Sequence, residues 1–259
     1  MSVLDLFKLD GYCSIVTGGA TGLGKAMATA LAEAGSDIVI ADINLAMAET
    51  TASDLRKLGR TVIAVACDVT NEDDCAKVVS AAIAKFGKID VLINNAGICK
   101  HIPAEDMTYV QWMEVINVNL NGTFLMARNV GREMIKRKKG SIINISSMSG
   151  IIVNTPQTQS SYNASKGAVI MLTKSLASEW VGYNIRVNSI APTYMNTELI
   201  SELVANGDQA MTQKWIDMTP MKRFGEPKEL GGLAVYLASE ASSLATGSVF
   251  VIDGGYTVW

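Results

Sequence analysis

Two rhythms of apolar residues alternate along the chain. Short runs rich in Val and Ile lie at 13–17, 37–41, 61–66, 90–93, 141–145, 185–190 and 249–252. Between them, Ala-rich stretches near 22–34, 45–58, 71–86, 108–138, 162–181 and 227–238 carry apolar positions at the helical period. Runs this short suit strands buried on both faces, and strand, helix, strand at this spacing requires right-handed crossovers into a parallel sheet. The pattern predicts a single α/β domain over 1–259, a Rossmann-type doubly wound parallel sheet of about seven strands with helices on both faces. The rhythm breaks once, at 193–222, where some 30 residues precede the next helix; an insertion of that length reads as a substrate lid.

Composition changes the picture only by exclusion. A chain of 259 residues hides roughly 70–75% of its unfolded surface and needs no disulfide or metal staple. The net charge of -3 offers no bulk field for nucleic acid, and none is expected as a partner. The one basic run, Lys136-Arg137-Lys138-Lys139, precedes Gly140 and reads as a helix C-terminus where cations complement the dipole. Cys13, Cys67, Cys75 and Cys99 fit neither a CxxC pair nor a zinc spacing, so they read as free thiols of a reducing compartment, and no metal site is expected. The first residues carry acids early and lack an apolar h-region, and no stretch reaches 18 consecutive apolar residues. The expectation is a soluble cytoplasmic protein with no membrane partner.

The first strand runs into Thr17-Gly18-Gly19-Ala20-Thr21-Gly22-Leu23-Gly24, and a helical pattern follows at once. Gly18, Gly22 and Gly24 permit a tight turn and close approach of the backbone, with Thr21 and Leu23, to a pyrophosphate at the helix N-terminus. The second strand leads to Asp42, 18 residues past Gly24, where a carboxylate can accept from ribose hydroxyls. A 2′-phosphate there meets like charge, and neither Thr21 nor Ile43 supplies a cation, which predicts NAD over NADP; otherwise Asp42 is an ordinary strand-end acid. Asp68 and the Val69 backbone end the third strand where an adenine would meet them, though Asp68 serves equally to cap the helix starting near Asn71.

Of seven tyrosines, only Tyr162 has a lysine four positions on, Lys166. On a helix that spacing places both side chains on one face. A free phenol has a pKa of about 10, so a base acting near pH 7 needs roughly 4 kcal/mol of preferential phenolate stabilisation. A neighbouring ammonium and an oxidised nicotinamide both push that way. Upstream, Ser146-Ser147-Met148-Ser149 puts hydroxyls at the end of the fifth strand, on the edge where open α/β sheets bind ligands. The single histidine, His101, makes a Ser-His-Asp triad or an imidazole metal site a poor reading.

With these motifs in order, the chain resembles the short-chain dehydrogenase/reductase family along nearly its whole length. The resemblance rests on the Thr17 to Gly24 turn, Asn94-Asn95-Ala96-Gly97, Asn119 within Asn117-Val118-Asn119-Leu120, the Ser147 region, Tyr162 with Lys166, Arg186-Val187-Asn188 and Asp253-Gly254-Gly255. It implies Tyr162 as general acid/base, with Lys166 depressing its pKa and bonding the nicotinamide ribose. Ser147 would hold the substrate oxygen, and Asn119 would anchor a water relay to Lys166. Asn95, Ala96 and Gly97 would line the cofactor ribose, and Thr197, beyond Pro192, would reach the carboxamide or pyrophosphate. Two departures stand out. The commoner pattern places the serine 13 positions before the tyrosine, at Ser149; the strand end favours Ser147, 15 before it. Thr193 follows Pro192 where the family usually has Gly.

The segment from Ser147 to Gln157 looks like the loop of polyol dehydrogenases in this family, of the galactitol and sorbitol type, as does the C-terminal Gly254-Gly255-Tyr256-Thr257-Val258-Trp259. Ser149, Asn154 and Gln157 suit a hydroxyl-rich substrate, or else satisfy loop backbone. Met195, Met211, Trp215 and Met218 in the lid read as packing rather than as a roof over substrate. The expected activity is NAD-dependent interconversion of a polyol and its ketose. Ketoreduction of diketones or 3-oxoacyl thioesters, or a non-catalytic dinucleotide sensor, are the alternatives. The resemblance also implies a homotetramer, with the helix from Tyr162 to Val181 and the last strand as interfaces; the aromatic end would suit such a contact or cover its own subunit.

Overall fold

The computed structural model describes residues 2–198 and 209–258. Strands β1 (Cys13–Thr17), β2 (Asp37–Asp42), β3 (Val62–Ala66), β4 (Val91–Asn94), β5 (Gly140–Ile145), β6 (Ile185–Pro192) and β7 (Val249–Ile252) form one sheet in the order β3-β2-β1-β4-β5-β6-β7. Every pairing is parallel. Because successive side chains of a strand point to opposite faces, the same runs build two cores. Val16, Ile38, Ile40, Ile93 and Ile143 face one; Ile15, Val39, Leu92 and Ile142 face the other. Both faces are covered by helices, so the strands are apolar without a break, as the sequence pattern requires.

Among the described residues the helices are α1 (Gly22–Glu33), α2 (Leu45–Arg56), α3 (Glu72–Phe86), α4 (Tyr109–Ile116), α5 (Thr123–Arg137), α6 (Ser160–Trp180), α7 (Gln209–Met218) and α8 (Gly231–Ala238). None of them, among the described residues, is long and apolar enough to cross a membrane. The basic run ends α5 as expected: Arg137 reaches the Ile89 carbonyl and Asp90, Lys136 pairs with Glu133, and Lys139 with Glu240. The helix stops at Lys138, its cap in the left-handed region (φ 53°), two residues before Gly140.

One expected element divides. The helical stretch at 108–138 is broken by a π-helical segment, Asn117–Gly122, between α4 and α5. Thr123 Oγ1 donates to the Asn119 carbonyl (2.7 Å), and Gly122 packs so tightly that a Cβ there would lie 2.6 Å from Val69 Cγ2. Apolar spacings of three and four fit both helix types, which is why periodicity alone did not reveal the widened turn. Part of the expected lid is a helix, α7; residues 199–208 of that stretch lie outside the described residues, as does Trp259.

Candidate active site

The strands become polar as they reach their C-terminal ends. Asn94 donates to Asn144 Oδ1 (2.9 Å), Asn144 donates to Thr173 on α6 (2.9 Å), and Ser189 meets Ser146 (2.6 Å). These buried bonds fix the register of β4, β5 and β6 at the edge where the order reverses between β1 and β4, the topological switch point at which such sheets bind ligands.

At that point the glycine turn is pinned from beneath. Asn95 Nδ2 donates to the carbonyls of Thr17 (3.1 Å) and Gly18 (2.8 Å). Gly18 has φ +58°, with Ala96 Cα 2.9 Å from where a Cβ would sit, and a Cβ on Gly24 would collide with the Gly18 carbonyl at 2.1 Å. Only glycine fits either position. Helices α2, α3 and α4 are capped by the side chains of Asn44, Asn71 and Thr108, whereas Thr21 makes no side-chain cap on α1. The first N–H groups of α1, with Leu23 in its first turn, therefore receive no side-chain cap, and that turn carries no acidic residue, which fits an anionic diphosphate.

Asp42 closes β2, accepting from the Ala20 N–H (3.1 Å) and the Asn44 N–H (3.0 Å), so its carboxylate is held against the glycine turn. Asp68 is not the cap of α3. It accepts from the backbone and hydroxyl of Thr70, while Asn71 caps α3. Val69 is buried against Gly122. On the far side, Thr197 Cγ2 lies 3.7 Å from a Cβ built on Gly22, bringing the segment beyond Pro192 to the turn. The Thr193 N–H bonds the Ile252 carbonyl (3.1 Å), so the residue replacing the usual glycine extends the β6–β7 ladder.

The reactive side chains converge on the same edge. Ser147 caps the short helical turn Met148–Gly150, donates to Ser149 Oγ (3.1 Å) and acts on the Tyr162 phenol, lowering its pKa. Of the two serines, Ser147 is the one whose hydroxyl acts on the phenol's pKa. Lys166, one turn along α6, is buried and donates to the Ile145 carbonyl (2.8 Å), with Nζ 5.6 Å from the Tyr162 ring centre. Gly97 lies beside both Asn119 Oδ1 and Lys166 Nζ, a Cβ there being 3.3 and 3.4 Å from them. Asn119 is a staple within the π segment: its amide accepts from the Ile98 N–H (2.8 Å) and donates to the Ile98 carbonyl (2.9 Å) and Ser165 Oγ (3.0 Å).

The electrostatics differ from the expectation that Lys166 lowers the phenol's pKa. Enclosure pushes Tyr162 up to about 12, Cys99 adds to the rise, and only the Ser147 hydrogen bond pulls down. Desolvation lowers Lys166 to about 8, with Cys99 opposing. The reason is geometric: the ammonium is drawn to the Ile145 carbonyl rather than to the phenol oxygen, so burial dominates both groups.

The polar residues of the substrate loop are engaged with protein. Asn154 Nδ2 (2.9 Å) and Gln157 Nε2 (2.8 Å) both donate to the Tyr194 hydroxyl, and Trp215 of α7 donates to Gln157 Oε1 (2.9 Å). Tyr194 stacks on Trp215 at 4.1 Å and meets Tyr256 edge-on at 5.7 Å. Gln157 is thus committed to the protein, while Asn154 keeps its carbonyl oxygen toward Gln159. Met195 and Trp215 are buried as packing residues, and Tyr256 covers its own subunit, only 3% exposed.

Sequence comparison places this geometry. The family model described as enoyl-(acyl carrier protein) reductase matches residues 18–257. Galactitol 2-dehydrogenase of Rhizobium johnstonii is 43% identical over the full length of both chains. The chain belongs to the short-chain dehydrogenase/reductase family. An NADP-dependent mannitol dehydrogenase of Alternaria alternata is 46% identical, covering 98% of this chain and 95% of that one. The crystal structure of gox2181 superposes with a TM-score of 0.97 at 44% identity, covering both chains fully.

Within this short-chain dehydrogenase/reductase the sequence reading missed three residues at the site. Gln159 lies between Ser149, Asn154 and Asn163. Tyr194 ties the substrate loop to α7, and Cys99, exposed, contacts Gln159 Oε1 (3.6 Å). The available signal was position: Gln159 stands three residues before Tyr162, and Tyr194 two after Pro192.

Proposed function

We propose that the chain is an NAD(H)-dependent dehydrogenase interconverting a secondary alcohol of a polyol with its ketose, with Tyr162 as general acid/base. The observation that carries this reading is the meeting of Ser147, Tyr162 and Lys166 beside an uncapped helix N-terminus and a glycine turn. The full-length likeness to the galactitol and mannitol enzymes supports the substrate class.

When bound, a nicotinamide dinucleotide supplies the hydride exchange. The chain's own residues do the rest. The Gly18 to Gly24 turn and α1 hold the diphosphate, Asp42 the adenosine ribose, Asp68 and Val69 the adenine, and Asn95, Ala96 and Gly97, with Pro192 and Thr197, the nicotinamide half. Ser147 holds the substrate oxygen, and Ser149 and Asn154 border the rest of the molecule. In oxidation the Tyr162 phenolate accepts the hydroxyl proton; in reduction the phenol returns it. Because the phenol starts near 12, its reactive anion grows about tenfold per pH unit below that value, so oxidation rises toward alkaline pH. Lys166 and Asn119 frame the Gly97 backbone and hold the ribose side of the site.

The choice of NAD rests on Asp42, which would face a 2′-phosphate with like charge; relatives named as NADP-dependent, the mannitol dehydrogenase among them, make it the point to test. An NAD- and NADP-reduction screen over hexitols, pentitols and simple diols tests both parts. The expected result is turnover of a polyol with NAD at least tenfold above NADP; silence across the panel, or an NADP preference, overturns the corresponding part. The same family likeness supports a cytoplasmic homotetramer, for which exposed Met171 and Val181 at α6 and Val251 on β7 offer apolar contacts. A light-scattering mass of four chains is the expected reading.

A further inference from the structure

We propose that Gln159 is a specificity-determining residue that selects substrates carrying a hydroxyl on the carbon next to the reacting one. This deepens the dehydrogenase reading above and rests on it. Gln159 immediately precedes α6, and its side chain is buried. Its amide nitrogen has two hydrogens but faces three oxygens: Asn163 Oδ1 at 2.8 Å, Ser149 Oγ at 3.3 Å and Asn154 Oδ1 at 3.4 Å. The first is a full hydrogen bond. The other two oxygens divide the remaining hydrogen, each beyond the usual N–H···O distance.

Several neighbouring donors already serve other partners. Asn154 Nδ2 serves the Tyr194 hydroxyl, the Ser149 N–H serves Ser147 Oγ, and the Ser147 hydroxyl serves Ser149. The shared Gln159 hydrogen is therefore held only by two long contacts, and a buried donor without a well-placed acceptor is costly. A hydroxyl both donates and accepts. Placed here, it gives its proton to Asn154 Oδ1 and takes the shared Gln159 hydrogen or leaves it to Ser149. A methylene does neither and leaves the Gln159 hydrogen on its two long contacts.

The location fixes which hydroxyl this is. Ser149 Oγ lies 3.1 Å from Ser147 Oγ, and Ser147 acts on the phenol that handles the proton. Two oxygens on adjacent carbons, one on Ser147 and the next against Ser149 and Gln159, match that step. Asn154 is held for this purpose from behind: the Tyr194 clasp takes its NH2 group and leaves its carbonyl toward the cluster.

The test compares kcat/KM for 2,3-butanediol and 2-butanol, with whichever of NAD and NADP the parent uses, in the parent, Gln159→Leu and Gln159→Glu. The parent is expected to favour the diol by at least about tenfold, the worth of one hydrogen bond in this setting. Both variants should bring that ratio to within about threefold of unity, with the loss falling on the KM of the diol. Gln159→Glu keeps the oxygen that meets Cys99 and removes the NH2 group, so it isolates the donors. NADH titration by fluorescence should give parent affinity for both, which separates a misfolded protein from an altered pocket. A parent without diol preference, a variant that keeps it, or an equal fall on both alcohols overturns the proposal while the dehydrogenase reading stands. A parent that oxidises no alcohol or polyol with either cofactor overturns both.

Discussion

At the N-terminal edge of the sheet Asp90 is buried, and its carboxylate meets Lys88 (3.1 Å), Arg137 (3.0 Å) and the Cys13 N–H (2.9 Å). At the C-terminal edge Lys166 is as deeply buried, yet its ammonium meets the Ile145 carbonyl at 2.8 Å, and among the described residues it makes no ion pair. Both charges have been taken from water. The first is compensated by two cations and a backbone donor and ties β1 and β4 to the end of α5. The second is left under-compensated, which is why its pKa falls to about 8. One edge of the sheet is built for stability and the other carries unrelieved electrostatic stress of the kind active sites hold.

Four experiments break or sharpen that contrast. Tyr162→Phe removes the proton-handling group and nothing of the fold; turnover should fall by about 10²–10⁴-fold, with NADH affinity within a few fold, measured by steady-state rates and fluorescence titration. Near-normal turnover would remove Tyr162 from its role. Asp90→Ala strands two cations at the opposite edge and should cost about 3 kcal/mol in urea unfolding at pH 7. A loss under 1 kcal/mol would mean that Lys88 and Arg137 rehydrate freely and the contrast fails.

Lys166→Met should have the opposite sign on stability. In the folded chain Lys166 titrates near 8, below its ordinary 10.5, so the unfolded chain binds more protons between those values. The penalty of holding the ammonium is complete below pH 8 and fades as pH rises to 10.5. The variant should therefore be more stable than the parent by about 2 kcal/mol at pH 7, with the advantage gone above pH 10.5, while its turnover collapses. A variant less stable at every pH would place Lys166 with Asp90 as a structural charge. The smallest effect is expected at Asp42→Ala, where removing the carboxylate should lower the ratio of NADH to NADPH efficiency by about tenfold; an unchanged ratio would move cofactor choice elsewhere.

Much of this was legible in the linear chain. The seven strands appear within two residues of their expected ends, because a strand buried on both faces must be continuously apolar, and that property is local. The glycine turn was legible for a similar reason: Gly18 and Gly24 occupy places no other residue fits. The π segment at Asn119 was not, since its cause lies in contacts with Ile98, Ser165 and Val69 from three other parts of the chain. Nor was the fate of Asn154 and Gln157. Both read as polar groups available to a substrate, and both donate to Tyr194, a residue 40 and 37 positions away.

The order of residues alone determined the sheet, the cofactor turn and the tyrosine–lysine pair, because periodicity, glycine sterics and i, i+4 spacing act over a few residues. Tertiary structure decided which serine acts on Tyr162, that burial rather than Lys166 governs the phenol's pKa, and that Gln159 faces three oxygens with two hydrogens. Each of those depends on solvent exclusion and hydrogen-bond competition among side chains from separate elements, and neither exists until the chain has folded.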